Sequence, residues 1–411
     1  MNILFVVPYV PDRIRPRPYN LIRALRSRGH TLTLVTLWTS GWEREAVEAL
    51  RQEGFEVHAV RLSPGRSMWN SLRALPTRTP LQAVYCWHPQ VPKILSDLLS
   101  GRGGRPPFDV IHVEHLRGAL YGLWLKRWMA EQGLKIPVLW DSVDCISLLF
   151  KHAARDSRSA FGRWIGHIEI GRTEAFEGRM LRSFDGVIAT SRVDAEALSA
   201  LDGNGDGATP ITVLTNGVDL DYFVPSDSSG RVPLSLVMSG KMSYHANVTM
   251  AVEFVQDAYP RVQARFPGAQ LWMVGKDPAR EVLSLHRPPA IRVVGTVPDL
   301  RPYLQSATAA VAPLRYGAGV QNKVLEAMAC ATPVVVTPAG AQGLSILPDR
   351  DALVASPGEE FANAVLRLLD DRGLRARIGS AGRRHVEEYH DWSRIASQLE
   401  GVYDELIRTR H

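Results

Sequence analysis

The chain has 411 residues, with 48 Lys+Arg against 42 Asp+Glu, 45% hydrophobic and 22% charged residues, and three cysteines. This composition excludes wholesale disorder and a polytopic membrane protein, and at roughly 150 residues per domain the length predicts two or three domains. Cys86, Cys145 and Cys330 lie far apart with no CxxC pair, which argues against a disulfide framework or a structural zinc site and fits a reducing, cytoplasmic compartment.

The charge is unevenly placed. Residues 1–218 hold 27 basic and 21 acidic residues, whereas residues 219–411 hold 21 of each. Arg13, Arg15, Arg17, Arg23, Arg26 and Arg28 all fall in the first 28 positions. Such a segment is either a solvated surface or a site for anionic partners such as phosphates and lipid headgroups.

In chain order, Met1–Tyr9 reads as a strand. Its apolar run is short, lacks a basic leader and stops at Pro8, which speaks against a signal peptide. Pro18–Arg28 has helical spacing, with Leu21, Ile22 and Leu25 on one face. His30–Leu37, Phe55–Val60, Val110–Val113, Pro137–Trp140, Gly186–Thr190 and Ile211–Thr215 continue as strands separated by helix-length segments. A break follows, with a Gly-rich loop at 202–207, Asn216-Gly217 and a linker at 225–230. The rhythm then restarts. Leu234–Ser239, Gln270–Val274, Ile291–Val294, Ala309–Ala312 and Pro333–Val336 read as strands, with helices at Thr249–Arg265, Lys323–Cys330, Glu359–Leu369 and Trp392–Thr409. The last helix sets Ile395, Leu399, Val402 and Leu406 on one face. No uninterrupted apolar stretch of about 20 residues is present, so no spanning helix is expected.

Strands alternating with helices imply βαβ units and parallel sheets, and Val/Ile/Leu runs without strict alternation imply burial on both faces. The expected class is α/β: two doubly wound, Rossmann-like domains facing across a cleft at the carboxyl ends of their strands. The boundaries expected are 1–218, with 392–411 as a helix crossing back, and 219–391.

The most informative stretch runs from Pro313 to Val336. A strand ends at Ala312, a loop with Gly317 and Gly319 follows, and a helix starts near Gln321. Glycines permit close approach, and free amides at a helix N-terminus favour a diphosphate. Lys323 in the first helical turn opposes the helix dipole, which suits a bound anion. Glu326, at i+3, shares its face.

The string Gly-x-Gly-x3-Lys-x-Leu-Glu-Ala-Met-Ala-x3-Pro-Val-Val at 317–335 resembles the donor-binding region of GT-B glycosyltransferases of family 4, retaining enzymes that use nucleotide sugars. Further matches fall in order: Gly29-His30 before a strand, Asp109-Val-Ile-His-Val-Glu-His115, Phe184-Asp-Gly-Val-Ile-Ala-Thr-Ser191, Asn216-Gly-Val-Asp219 and Ser239-Gly-Lys-Met242. The match covers nearly the whole chain. The subgroup most resembled is sugar transferases of bacterial exopolysaccharide gene clusters.

The resemblance implies that Lys241 and Lys323 neutralise the donor diphosphate and that Glu326 accepts hydrogen bonds from the ribose. It implies backbone or base contacts from Gly240, Gly275, Val297, Gly317, Gly319, Val320, Gln321 and Asn322. Glu114 and His115 become candidates for positioning the sugar. By their place after the strand Pro137–Trp140, Asp141 and Asp144 either bind acceptor hydroxyls or cap a helix. Two cations at a departing nucleoside diphosphate stabilise its developing charge, so neither a metal nor a separate cofactor is expected. The donor base is read as uridine or guanosine, and the acceptor as a glycan or lipid-linked molecule in polysaccharide or glycolipid synthesis. Two departures stand out. The Glu that many members place eight residues before Glu326 is Ala318 here. The first βα loop, Pro11–Pro18, has no Gly, and its Arg15 and Arg17 are instead candidates for an acceptor phosphate or the donor diphosphate.

Other readings are weaker. A phosphate-loop NTPase would need Gly at Ser235 and Ser or Thr at Met242. A nicotinamide dehydrogenase would need GxGxxG after the first strand, and nucleic-acid binding would rest on charge alone. A sugar-nucleotide epimerase of the same fold and a catalytically silent nucleotide-sugar-binding partner remain as alternatives. With the whole charge excess in the acceptor half, the expected partner is a phosphate-bearing lipid or membrane surface, at the inner face of the plasma membrane.

Overall fold

The computed structural model describes residues 1–101, 106–155, 160–202, 209–226, 230–316 and 319–410. Most of the Gly-rich loop and the centre of the linker expected at the break, and Gly317 and Ala318 in the donor motif, lie outside the described residues. The chain divides into two compact units, Met1–Thr215 with Ser393–His411, and Asn216–Trp392.

The first unit holds β1 (Asn2–Val7), β2 (Thr31–Trp38), β3 (Glu56–Arg61), β4 (Val110–Glu114), β5 (Val138–Val143), β6 (Gly186–Ala189) and β7 (Ile211–Val213). They form one parallel sheet in the order β3-β2-β1-β4-β5-β6-β7. The second holds β8 (Ser235–Ser239), β9 (Gln270–Val274), β10 (Ile291–Gly295), β11 (Ala309–Ala312), β12 (Val334–Val336) and β13 (Leu353–Val354), in the order β10-β9-β8-β11-β12-β13. Both are doubly wound α/β sheets, as the sequence predicts. Their order reverses beside β1 and β4 in the first unit and beside β8 and β11 in the second. Ligands of open α/β sheets bind at such switch points, outside the carboxyl ends of the strands.

Burial explains the missing alternation. In β8, Leu236 and Met238 join one core cluster while Val237 joins another, so successive side chains are buried on opposite faces. β4 is buried throughout.

Two local differences from the expected elements have physical reasons. The helix expected over Thr249–Arg265 is three pieces: His245–Glu253, a π-helical turn at Phe254–Ala258, and Tyr259–Arg265. Pro260 has no N–H and its ring clashes with the carbonyl four residues back, and the wider turn makes room for it. On the C-terminal helix Trp392–Arg410, Tyr403 takes the inward position expected for Val402, beside Ile395, Leu399 and Leu406. From Ser393 on, this helix belongs to the first unit. It packs close to β6, where a Cβ on Gly186 would lie 2.9 Å from both Leu139 Cδ1 and Leu406 Cδ1. Leu353–Val354, two residues long, is too short to show a period, and the sequence reading misses it.

Candidate functional site

The predicted residues gather in two groups, one at each switch point. In the second unit, β8 ends at Ser239 and the chain turns through Gly240 and Lys241. Gly240 and Gly275 stack backbone on backbone. A Cβ on Gly275 would sit 1.8 Å from the Gly240 carbonyl oxygen, and Gly275 itself has φ +151°. A Cβ on Gly240, at φ +137°, would meet Asn247 Nδ2 at 2.9 Å and Lys323 Cε at 3.2 Å. Gly275→Ala is therefore expected to cost more than about 1 kcal/mol of stability, because side chain and backbone conformation both conflict with the fold. Thermal melting checks this, and a wild-type melting temperature would contradict it.

Helix Asn322–Ala329 starts after β11, with Gln321 as its N-cap residue. The Lys323 Nζ donates to Asn247 Oδ1 at 2.9 Å and to Gln321 Oε1 at 3.1 Å. Asn247 Nδ2 in turn donates to the Lys241 carbonyl at 2.9 Å. One amide side chain thus fixes the lysine and the Gly240–Lys241 loop together. Burial pushes the Lys323 ammonium down to about 8, against the pull of Glu326. Burial pushes the Glu326 carboxyl up to about 7, although Lys323 lowers it. Among the described residues, no hydrogen bond or ion pair engages the Glu326 carboxylate. Lys241 is exposed, Val320 is buried, and Gly275 and Val297 are half-buried near the ends of β9 and β10. Gly319 has φ +64°. Asn216 donates from Nδ2 to Asn322 Oδ1 at 3.5 Å, and its carbonyl accepts from His390 Nδ1 at 2.7 Å, which ties the Asn-Gly-Val-Asp segment to this group.

In the first unit, Glu114, the last residue of β4, pairs in register with Asp141, which lies within β5 rather than after it. Arg17 donates from Nε to Asp141 Oδ2 at 2.8 Å and from Nη1 to the carbonyls of Leu214 and Thr215 at 3.1 and 3.3 Å. His112 Nε2 lies 3.5 Å from the same carboxylate, and its Nδ1 meets Tyr403 Oη at 2.7 Å. Burial alone would raise Asp141, but the Arg17 charge and the His112 contact hold it down to about 2. Burial, then the charge of Asp141, push Glu114 up to about 8, which favours its protonated form. Glu114 Oε1 accepts from the Tyr9 hydroxyl at 2.7 Å, while Oε2 is buried with no partner among the described residues. A buried, unpartnered oxygen at a switch point is suited to a ligand hydroxyl.

His115 stands at φ +63°, a left-handed conformation uncommon for a side chain of this size. Its Nδ1 accepts the Arg117 backbone N–H at 3.2 Å, which puts the ring proton on Nε2. Burial and the Arg117 charge push this imidazole down to about 3, so it is neutral. Asp144 accepts from Thr190 Oγ1 at 3.4 Å, and burial with the Asp194 charge raises it to about 7.

The arginines of the first loop do not form an open anion site. Arg17 is 4% exposed and serves Asp141. Arg15 donates to the Val10 carbonyl at 3.1 Å and to Glu43 at 2.7 Å, and lies over the Tyr9 ring. Arg23 pairs with Glu53, Arg26 donates to the Glu53 carbonyl, and Arg28 pairs with Glu400. Tyr9 and Asn247 carry much of the two groups' geometry, and the sequence reading misses both. Neither belongs to a motif, and the only signal is position, just after a strand end and in a helix's first turn.

Comparison with known proteins places the chain in a family. Residues 14–217 match the glycosyl transferase 4-like domain, and residues 233–371 match glycosyl transferases group 1. Together they span most of the chain and both units. The chain belongs to the GT-B glycosyltransferases of the family-4 type and is an enzyme of that class. It is 27% identical over 279 residues to the lipopolysaccharide core biosynthesis mannosyltransferase LpcC of Rhizobium leguminosarum bv. viciae, covering 64% of this chain and 72% of that one. It is 25% identical over 416 residues to a D-inositol 3-phosphate glycosyltransferase of Stackebrandtia nassauensis, covering 94% and 85%. Among solved structures, Anabaena HepE in complex with UDP superposes with a TM-score of 0.68 at 16% identity, covering 98% of this chain and all of the other.

Proposed function

We propose that the enzyme transfers a hexose-type sugar, with retention of anomeric configuration, from a UDP- or GDP-sugar to a glycan or lipid-linked acceptor. One observation carries the reading. At the switch point of the second sheet, a lysine clamped by Asn247 and Gln321 stands beside the Glu326 carboxylate, which no hydrogen bond engages among the described residues, and a two-glycine stack that no side chain can enter. Lys323 and Lys241 would neutralise the leaving diphosphate without a metal, and Glu326 would accept ribose hydroxyls. Glu114, with its protonated form favoured, and the neutral His115 would position sugar hydroxyls through an acid proton and the Nε2–H. Asp141 is committed to Arg17, so it would act by holding the first-unit group in place. No general base is assigned, because in front-face retention the departing phosphate takes the acceptor proton.

The acceptor is read as an anionic glycolipid or phosphorylated sugar, which is in keeping with the relatives named for lipopolysaccharide core and inositol 3-phosphate chemistry. Among the described residues, no helix is long and apolar enough to cross a membrane. The three cysteines are buried free thiols, which suits a cytoplasmic location, and contact with the membrane would be peripheral.

A thermal-shift screen of UDP-, GDP- and ADP-sugars tests the donor, since a ligand that binds only the native state raises its melting temperature. One UDP- or GDP-sugar is expected to stabilise the protein, and stabilisation by none would count against the reading. Glu326→Ala is expected to weaken that donor about tenfold, or about 1.4 kcal/mol. NMR of the product is expected to show the anomeric configuration of the donor, and inversion would overturn the mechanism.

A further inference from the structure

Helix Pro64–Ala74 is inside out. Its inward face carries Ser67, Asn70 and Ala74. Its outward face carries Met68, Trp69 and Leu72, followed by Leu75, which are 65%, 54%, 54% and 52% exposed. The inward polar face is anchored, because Asn70 Nδ2 donates to the Trp87 carbonyl at 2.7 Å. A surface helix of a globular protein turns its apolar stripe to the core. Four large apolar side chains turned outward along one short stretch mark an interaction surface.

Against the same helix lies a cavity of about 520 Å³. Trp87, Leu120, Leu123 and Trp124 supply its apolar wall, Arg73 and Arg127 are its charged groups, and among the described residues no acidic one lines it. The volume falls in the range of small-molecule sites. Both arginines are exposed, and neither ion-pairs with a carboxylate among the described residues.

We infer that this face docks on the surface of an anionic membrane, with one lipid hydrocarbon chain entering the cavity and its phosphate meeting Arg73 and Arg127. A cavity with an apolar wall, lined by Arg73 and the inward residues Asn70 and Ala74 of a helix whose other face turns an apolar stripe outward, suits a chain drawn from a bilayer. Two guanidinium forks without a competing carboxylate suit a phosphate. Trp69 beside Met68 and Leu72 gives the helix the character of an interfacial element that lies in the headgroup region. The inference deepens the membrane contact proposed above and moves it from the first loop, whose Arg15 and Arg17 are held by Glu43 and Asp141, to this helix. It does not depend on the donor chemistry.

Sedimentation with vesicles tests the surface. The protein is expected to sediment with phosphatidylglycerol–phosphatidylcholine vesicles and not with phosphatidylcholine alone. Trp69→Ser/Leu72→Ser and Arg73→Glu/Arg127→Glu are each expected to lower the partition coefficient about tenfold or more. Melting curves without vesicles are expected to stay as in wild type, which separates loss of the site from loss of the fold. Bromine-labelled phosphatidylglycerol tests the cavity in a Trp69→Phe background, which removes the tryptophan of the docking face: it is expected to quench the remaining tryptophan fluorescence, and adding Trp87→Phe/Trp124→Phe is expected to remove most of that quenching. Equal binding to both vesicle types overturns the phosphate assignment. Quenching that survives Trp87→Phe/Trp124→Phe overturns the entry of a chain. Self-association that Trp69→Ser/Leu72→Ser abolishes, with no vesicle binding, assigns the face to a second copy of the chain instead. Nucleotide-sugar binding is read separately by thermal shift, so either proposal can fail while the other stands.

Discussion

Replacing Arg17 with Met is expected to cost about 3–5 kcal/mol of folding stability, the usual effect of removing one partner from a buried pair. The guanidinium is 4% exposed and Asp141 is fully buried. With Arg17 gone, the carboxylate keeps, among the described residues, only His112 and the Val143 N–H, which it accepts at 3.0 Å. The carbonyls of Leu214 and Thr215 lose the same donor. The size of the effect comes from stranding a charge in a low-dielectric site, not from the intrinsic worth of the pair. Urea denaturation measures it, and a loss below about 1 kcal/mol would contradict the account.

The pH dependence follows from the sign of the shift. In wild type, Asp141 is held down at about 2, below the unfolded value, so its contribution is present above the unfolded pKa and is lost as pH falls toward 2. In the Met variant, burial without Arg17 raises the folded pKa above the unfolded one. The variant then takes up a proton in the folded state as pH falls, and part of its deficit is recovered. The loss is therefore expected to be larger at neutral pH than in mild acid. Adding Asp141→Asn to Arg17→Met is expected to restore much of the stability, since the two residues act as one unit.

Lys323→Ala is expected to lower kcat by about 100-fold or more, as removal of a preorganised group that meets developing charge does. The variant loses the ammonium and leaves Asn247 Oδ1 and Gln321 Oε1 facing a site meant for an anion. Two acceptor oxygens there would repel the diphosphate, so donor affinity should fall along with kcat. Lys323→Arg is not expected to rescue activity, because the longer planar fork does not fit where Lys323 Cε already lies close to Gly240. Free Lys323, lowered to about 8, loses its proton as pH rises through that value. Donor affinity is accordingly expected to fall above pH 8, and the bound diphosphate should move the apparent value upward. Steady-state kinetics over a pH series checks both, and an unchanged kcat in Lys323→Ala would remove this residue from the chemistry.

The parts of the fold that were legible in the sequence are those written by local rules. Strands such as Gln270–Val274 and Ala309–Ala312 are apolar runs bounded by turn residues, and they appear where expected. The second switch point was legible because close approach demands glycine at 240 and 275, and because Lys323 and Glu326 share one helical face in a recognisable string. At the first switch point the residues Glu114, His115, Asp141 and Arg17 were legible, but not how they pair. Arg17 meets Asp141 across 124 positions, and nothing local marks an arginine that will be buried. A dense run of arginines therefore reads as an open basic surface although Arg17, Arg15, Arg23 and Arg28 are paired with Asp141, Glu43, Glu53 and Glu400. Helix Pro64–Ala74 was hidden for the opposite reason. Sequence periodicity shows that Met68, Trp69 and Leu72 share a face but not which way the face points. The neutral states of Glu114 and His115 likewise depend on burial that only the assembled sheet provides.

Calorimetry of nucleotide sugars against wild type, Lys323→Ala and Glu326→Ala tests the central claim most directly. At least one UDP- or GDP-sugar should bind wild type, and each substitution should weaken it about tenfold or more, which is about 1.4 kcal/mol or above. Unchanged affinity in both variants for every nucleotide sugar that binds wild type would contradict the account.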